Sequence, residues 1–437
     1  MDPAGELAHV VRTRRARHPE APLVLEHREA LVYALRQASE LEHLVMCGYL
    51  YAAFSLKGQD AGLTADQLTA VKGWRKVILG IATQEMLHLA LVQNLLTAVG
   101  ASPHLTRRNF PQPTRKFPGG IQFALLPFGE QALRHFVYLE RPEGLEMDDA
   151  EGFAALGKAM PLMEPDDLVP RAQEFATIGH LYRAIEEGLD HLVARLGPDR
   201  LFVGPPRAQA METHFRWPDL VAVTDLASAH RAIDTIVEQG EGVRGDWRGA
   251  HFGRLIGVLD EYMALRTADP GFEAARPVVA ARVRPPESGA TVPLIGDPLT
   301  ARVADLMNVG YEMLLQLLYR YFAHTEESDE QLGTLADVAV GLMFGVVKPL
   351  GQLVASLPLG PDHPDRTAGP AFELFYTADY LLPHRKAAWV VIEERLRDAA
   401  AFAAHVAQEA DPVLAAKLEP VGASLERFAA TIAAGAG

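Results

Sequence analysis

Apolar residues recur every three or four positions along most of the chain, while strict alternation is scarce. This pattern predicts an all-α protein with helices near 28–57, 65–99, 130–139, 171–196, 219–241, 250–267, 298–325, 331–356, 383–410 and 412–434. The second helix carries its own punctuation: Thr64 with Gln67 three residues on forms a capping-box pattern, and Gly100 closes the far end. Two long irregular segments interrupt the periodicity. "ADPGFEAARPVVAARVRPPESGATVPLIGDP" holds six prolines and is the natural boundary between an N-terminal bundle, 1–270, and a second C-terminal helical bundle, 290–437. "ASPHLTRRNFPQPTRKFPGG" lies inside the first block, where a loop of that length is expected to act as a lid beside the substrate's path. "IQFALLPF" is compatible with a short strand.

Polar residues break the apolar stripes at particular places. With Glu85 at zero on a helical wheel, Val71, Trp74, Ile78, Ile81, His88, Leu89, Val92 and Leu96 lie within about 60° of it. Glu85 and His88 are therefore at the centre of a core stripe. The first helix repeats the arrangement, with Leu31, Leu35, Ala38, Val45, Met46, Tyr49 and Ala53 sharing the face of Glu42. A lone ionised carboxylate buried in this way costs several kcal/mol and requires a counter-charge. An arginine such as Arg75 would serve. A metal ion would serve better, because Glu-x-x-His puts carboxylate and imidazole on adjacent turns. Dimetal four-helix bundles take one Glu from each of two helices and Glu-x-x-His from the other two. The first two helices supply half of that set.

The other half is less regular. In "DLASAHRAIDTIVEQGEGVRGDWRGAHFGRL" the wheel aligns His230, Asp234, Val237, Glu238 and Glu241, and the Gly240–Gly242 pair marks an unwinding helix. Glu238 and Glu241 stand in Glu-x-x-His spacing with the imidazole replaced, and His251 from the following segment is placed to restore it. His230 and Asp234, one turn apart, read either as partners of metal ligands or as a surface ion pair. From "PRAQEFATIGHLYRAIEEGLDHLVARLG" the wheel selects Glu174, which borders the apolar face, and puts His180 opposite it.

Charge and composition narrow the function. A net charge of −15 argues against a nucleic-acid partner. Cys47 is the single cysteine, which excludes an intrachain disulfide and suits a reducing cytoplasm. It lies about 140° from Glu42 on the wheel and reads as a buried structural thiol. No leader pattern and no uninterrupted apolar run of membrane-spanning length is visible, so no membrane is expected.

The strings "ELEHLVMCGYLYAAFSL", "ATQEMLHLALVQNLLTAVG", "TIGHLYRAIEEGL", "IVEQGEG" and "AHFGRL", with "VVKPLGQLVASLPLG" and "TAGPAFELF" further on, resemble the ferritin-like family of the iminophenylpyruvate dimer synthases. Those proteins act in violacein- and rebeccamycin-type bisindole biosynthesis. The resemblance covers most of residues 28–410 and implies a ferritin-like four-helix bundle with a metal site at Glu42, Glu85, His88, Glu241 and His251. It also points to position 180, where the family pattern has an acidic residue and this chain has His180. The synthases are longer chains, and their dimerisation reaction is not expected to carry over.

The combined expectation is a metal-dependent oxidoreductase, a non-haem dimetal oxidase or oxygenase. It would use iron, as one ion or two, with manganese as the alternative metal, and O2 on an amino acid or a metabolite derived from one. Its candidate ligands are Glu42, Glu85, His88, His180, Glu238, Glu241 and His251. A metal-binding protein or single-metal enzyme without O2 turnover is the competing expectation, and either is compatible with a homo-oligomer.

Overall fold

A computed structural model describes residues 11, 13–15, 20–59, 61–112, 121–150, 153, 169–243, 246–286, 291–375 and 381–437. It divides into two compact units. The first comprises Met1–His104, Gln112–Gln209 and Asp219–Ala274; the second comprises Leu105–Pro111, Ala210–Pro218 and Ala275–Gly437.

The helices of the first unit are α1 (Arg28–Ser55), α2 (Ala65–Ala98), α3 (Glu130–Leu139), α4 (Ile178–Leu196), α5 (Leu226–Gly240) and α6 (His251–Ala268). The two long rods α1 and α2 pack along each other, α5 lies on α2, and α4 joins α5 to α1, closing a ring of four. Helices α3 and α6 pack together, and α6 also rests on α2. Thr64 and Gln67 form the expected capping box at the start of α2. Arg75 does not reach Glu42: its guanidinium donates to the carbonyls of Leu56 at 2.8 Å and Lys57 at 2.9 Å, where α1 ends. Two short strands, β1 (Thr13–Arg15) and β2 (Leu145–Met147), pair antiparallel with Thr13 opposite Met147.

Two helix starts differ from the periodicity. Helix α4 begins at Ile178 and not near 171, because Thr177 has extended backbone (φ −131°, ψ 158°) and its side chain accepts from the His180 amide. Helix α5 begins at Leu226 and not near 219, because Asp225 and Ser228 form a capping box there. In both cases the apolar spacing runs past a local cap that ends the helix. "IQFALLPF" has no ladder partner among the described residues. It runs in irregular backbone with Ile121, Phe123, Leu125 and Phe128 buried, and the Phe128 amide donates to Ser55 Oγ at 2.8 Å. Residues 113–120 of the expected lid lie outside the described residues.

The second unit holds α7 (Pro298–Phe322), α8 (Asp329–Leu342), a π-helical turn (Met343–Val347), α9 (Lys348–Val354), α10 (Arg385–Glu409) and α11 (Pro412–Gly435). Helix α7 packs on α8 and α10, and α11 on α8 and α10. Val278–Val279 and Thr367–Ala368 pair in parallel as β3 and β4. Glu327 and Arg320 form a fully buried ion pair, and Trp389 Nε1 donates to the same carboxylate at 3.0 Å. The run from Asp329 to Val354 is long and apolar enough to cross a membrane by length and composition, although polar residues interrupt it. It passes because the π turn joins α8 and α9 into one continuous helix. Within the unit its apolar side chains pack against α7 and α11, the ordinary use of such a helix in a bundle.

Candidate metal centre

The core of the first unit holds three carboxylates and two imidazoles, all buried: Glu42 on α1, Glu85 and His88 on α2, Glu140 at the end of α3, and His251 at the start of α6. They form two groups whose donor atoms lie within 4.8 Å of one another, Glu42–Glu85–His88 and Glu85–Glu140–His251. Glu85 belongs to both. Its Oε2 is 3.0 Å from His88 Nδ1, and its Oε1 is 2.9 Å from His251 Nδ1. Each imidazole has a second carboxylate beyond the shared one: Glu42 Oε2 lies 3.5 Å from His88 Nδ1, and Glu140 Oε2 lies 3.7 Å from His251 Nδ1. The two rings stack with centroids 5.4 Å apart and 26° between their planes.

Tyrosines on neighbouring helices satisfy the outer oxygens. Tyr182 of α4 donates to Glu42 Oε1 at 2.5 Å, and Tyr49 of α1 donates to Glu140 Oε1 at 2.5 Å. Burial, reinforced by the adjacent carboxylates, raises both phenols well above their usual range, so they keep their protons. Behind His88, Nε2 meets the carboxamide oxygen of Gln239 at 3.0 Å, and Gln239 Nε2 donates to Asp219 at 3.3 Å.

The electrostatics reflect crowding of like charges in a dry site. Burial, followed by the neighbouring Glu85 charge, pushes the Glu42 carboxyl up to about 8. Burial opposes ionisation of Glu85 as well, but the imidazoles of His251 and His88 outweigh it and hold that carboxyl well below the usual range. Burial likewise works against the imidazolium form of His88, yet Glu85 and Glu42 push it up to about 10, and His251 is raised for the same reason. Among the protein's own atoms, protons on imidazole are thus the counter-charges that these carboxylates demand. A polar atom is nonetheless left over: His251 Nε2 is buried without a hydrogen-bond partner among the described residues. Buried atoms of this kind require an account. The carboxylate and imidazole donors, convergent in two groups of three, fit a hard or borderline divalent metal such as iron or manganese.

The remaining sequence candidates fall elsewhere. Glu238 is exposed on α5, and the neighbouring Gln239 is the residue turned toward His88. Glu241 caps the end of α5 outside both groups. Its Oε2 accepts from the Glu143 amide at 2.6 Å, its Oε1 lies 3.9 Å from Arg183, and burial pushes its carboxyl up to about 7. The helix unwinds immediately after it, at Gly242 (φ +96°), where a Cβ would lie 2.7 Å from Asp246 and Trp247 backbone atoms. His180 is buried but pairs with Glu20. Glu174 is exposed in coil, since the cap at Thr177 cuts it off from α4. His230 pairs with Asp190 at 2.9 Å on a part-exposed surface, and not with Asp234. Cys47 is fully buried.

Glu140 is not among the sequence candidates, although Leu133, Phe136 and Val137 lie within about 60° of it on a wheel, so the stripe of α3 ends in a carboxylate. Beside Glu140 lies a cavity of about 20 Å³, bordered by Gly179, Tyr182, Gly240 and Glu241, which has room for about one water molecule.

A family model described as Ferritin-like matches residues 35–257 of the chain. Dichlorochromopyrrolate synthase of Lentzea aerocolonigenes is 32% identical over 398 residues, covering 82% of this chain and 37% of that protein. A 2-imino-3-(indol-3-yl)propanoate dimerase of Chromobacterium violaceum is 30% identical over 390 residues, covering 83% of this chain and 36% of that protein. The match thus spans little more than a third of the length of either relative. The crystal structure of a ferritin-like protein from Caulobacter vibrioides superposes with a TM-score of 0.42 and 19% identity, covering 70% of this chain and 94% of that one.

Proposed function

The chain belongs to the ferritin-like family, and on that premise we propose that it is a non-haem dimetal oxidase or oxygenase acting on an amino acid or a metabolite derived from one. The observation that carries this reading is Glu85, whose two oxygens face two separate imidazoles, each backed by a further carboxylate. Glu42, Glu85 and His88 would hold one ion, and Glu85, Glu140 and His251 a second, with Glu85 common to both. Bound there, two iron or manganese ions would supply electrons for the reduction of O2.

The protein's own residues prepare that chemistry. Leu89, Ile81, Leu35 and Val45 lie on the apolar faces of α1 and α2 that carry the carboxylates, and they are buried, which keeps water from the site. Tyr49 and Tyr182 hold Glu140 and Glu42 by one oxygen each. Gln239 accepts from His88 Nε2, so the proton on that nitrogen is held, and an ion entering the site would displace the proton that Nδ1 shares with the carboxylates. The substrate class rests on relatives: the name of one, a 2-imino-3-(indol-3-yl)propanoate dimerase, specifies an imino acid bearing an indole. A small-molecule substrate and O2 are the partners of this reading, and a reducing cytoplasm suits its single buried cysteine.

One observation favours a narrower alternative with a single firmly held ion. The residue three before His251 is Arg248, exposed beside Trp247, so the second Glu-x-x-His of the dimetal pattern is absent. Glu241 is turned onto the Glu143 amide. Anaerobic titration of ferrous ion into apo-protein separates the two readings. We expect two binding steps, the weaker abolished by His251→Ala, and O2 consumption by the loaded protein. A single step at one ion per chain, indifferent to His251→Ala, would exclude the dimetal mechanism.

A further inference from the structure

The second unit contains a cavity of about 640 Å³, within the size range of small-molecule sites. Helices α7 and α10 pack on each other but leave this space where small and branched side chains, Val309 and Ala399, face it. Leu306 adds to the apolar floor, and Phe375 and Phe402 supply aromatic walls. We propose that this cavity binds a small aromatic amine, with the ring against Phe375 and Phe402 and the ammonium group on Asp398.

The charges at the cavity select the sign of the ligand. Arg284 is engaged by Asp305 in a two-pronged pair, 3.0 and 3.2 Å, and its guanidinium lies 4.7 Å over the Phe375 ring. Arg395 donates to Gln316 at 2.6 Å and to Glu312 at 3.3 Å. Both lining cations therefore already have carboxylate partners. Asp398 is different: it is exposed at the cavity and has no hydrogen bond or ion pair among the described residues. An anionic ligand would have to compete with Asp305 or Glu312 for its arginine and would still meet the Asp398 charge in the same lining. A monocation needs no displacement. Its ammonium donates a charge-assisted hydrogen bond to Asp398 while its ring packs against the two phenylalanines. A purely apolar ligand would leave the Asp398 charge unmatched, so the amine is the better fit.

Three probes that share a phenyl ring on a two-carbon chain distinguish the possibilities, titrated calorimetrically into the full chain: 2-phenylethylamine, phenylalanine and 3-phenylpropionate. We expect the amine to bind, phenylalanine to bind more weakly, and phenylpropionate not to bind at millimolar concentration. Asp398→Asn, a surface change expected to leave the fold intact, should weaken the amine about tenfold, the effect of one hydrogen bond to a charged group. Val309→Phe, which fills the cavity from α7, should abolish binding while melting temperature and metal content stay the same. Phenylpropionate binding as tightly as the amine, unchanged amine affinity in Asp398→Asn, or no binding of the amine would each overturn the assignment.

Discussion

His88 turns Nε2 to the carboxamide oxygen of Gln239, 3.0 Å away, while its Nδ1 faces Glu85 at 3.0 Å. An amide acceptor holds the proton on Nε2 without adding a charge, so Nδ1 is the nitrogen that would give up its proton to an incoming ion. Gln239→Leu removes that acceptor with little change in volume. We expect metal affinity to fall by about 10–100-fold, the usual cost of losing a partner behind a histidine ligand, with an unchanged helical circular dichroism spectrum. Titration of ferrous or manganous ion checks this, and undiminished affinity would remove Gln239 from the site.

The candidate carboxylates are not equivalent. Glu85 faces both imidazoles, whereas Glu140 meets one imidazole, His251, and Glu238 is exposed. Glu85→Ala should strip most metal, Glu140→Ala about one ion of two, and Glu238→Ala none. Elemental analysis of protein purified without chelators gives the metal-to-chain ratio for each. Equal losses from Glu85→Ala and Glu140→Ala would contradict the sharing of Glu85.

A slot in α4 is shaped by Glu241. A Cβ on Gly179 would lie 1.7 Å from Glu241 Oε1, so Gly179→Ala must push the carboxylate aside. Overpacking of this kind costs about 1–3 kcal/mol. The same change in a Glu241→Ala background should cost much less, because the obstructing atoms are gone. Denaturant midpoints for the four proteins of that cycle test the coupling, and additive effects would mean the two residues do not compete for space.

In the second unit the buried Arg320–Glu327 pair gives a pH-dependent prediction. Burial alone would raise the Glu327 carboxyl, but hydrogen bonds from Arg320 and Trp389 prevail and hold it at about 2. A carboxyl depressed in the folded state contributes stability that is fully present above its unfolded value, about 4.3, and is lost as pH falls through about 2. Glu327→Ala leaves Arg320 buried without that carboxylate and should cost about 3–5 kcal/mol at pH 7. The gap between parent and variant should narrow only below about pH 4. Chemical denaturation at pH 7 and near pH 3 tests both statements, and a gap already closing at pH 6 would contradict the depressed carboxyl.

Local spacing was enough to determine the long helices and to put Glu42, Glu85 and His88 on buried faces, whereas His251, expected to back Glu241, instead meets Glu85 and Glu140. A helix places residues three, four and seven apart on one face whatever surrounds it, so a carboxylate on an apolar stripe is bound for the core. The same rule failed where helices start and stop. Thr177 starts α4 after Glu174, and on α5 the residue turned toward His88 is Gln239, while Glu238 lies on the side away from the buried face. Glu140 caps a short helix and reaches the centre only because α3 packs on α6, which brings it to His251. His180 lies on a core-facing turn, yet Glu20 from the distant N-terminal segment claims it. Which polar groups meet is decided by where the backbone breaks and by segments far apart in the chain, and periodicity within one helix carries no information about either.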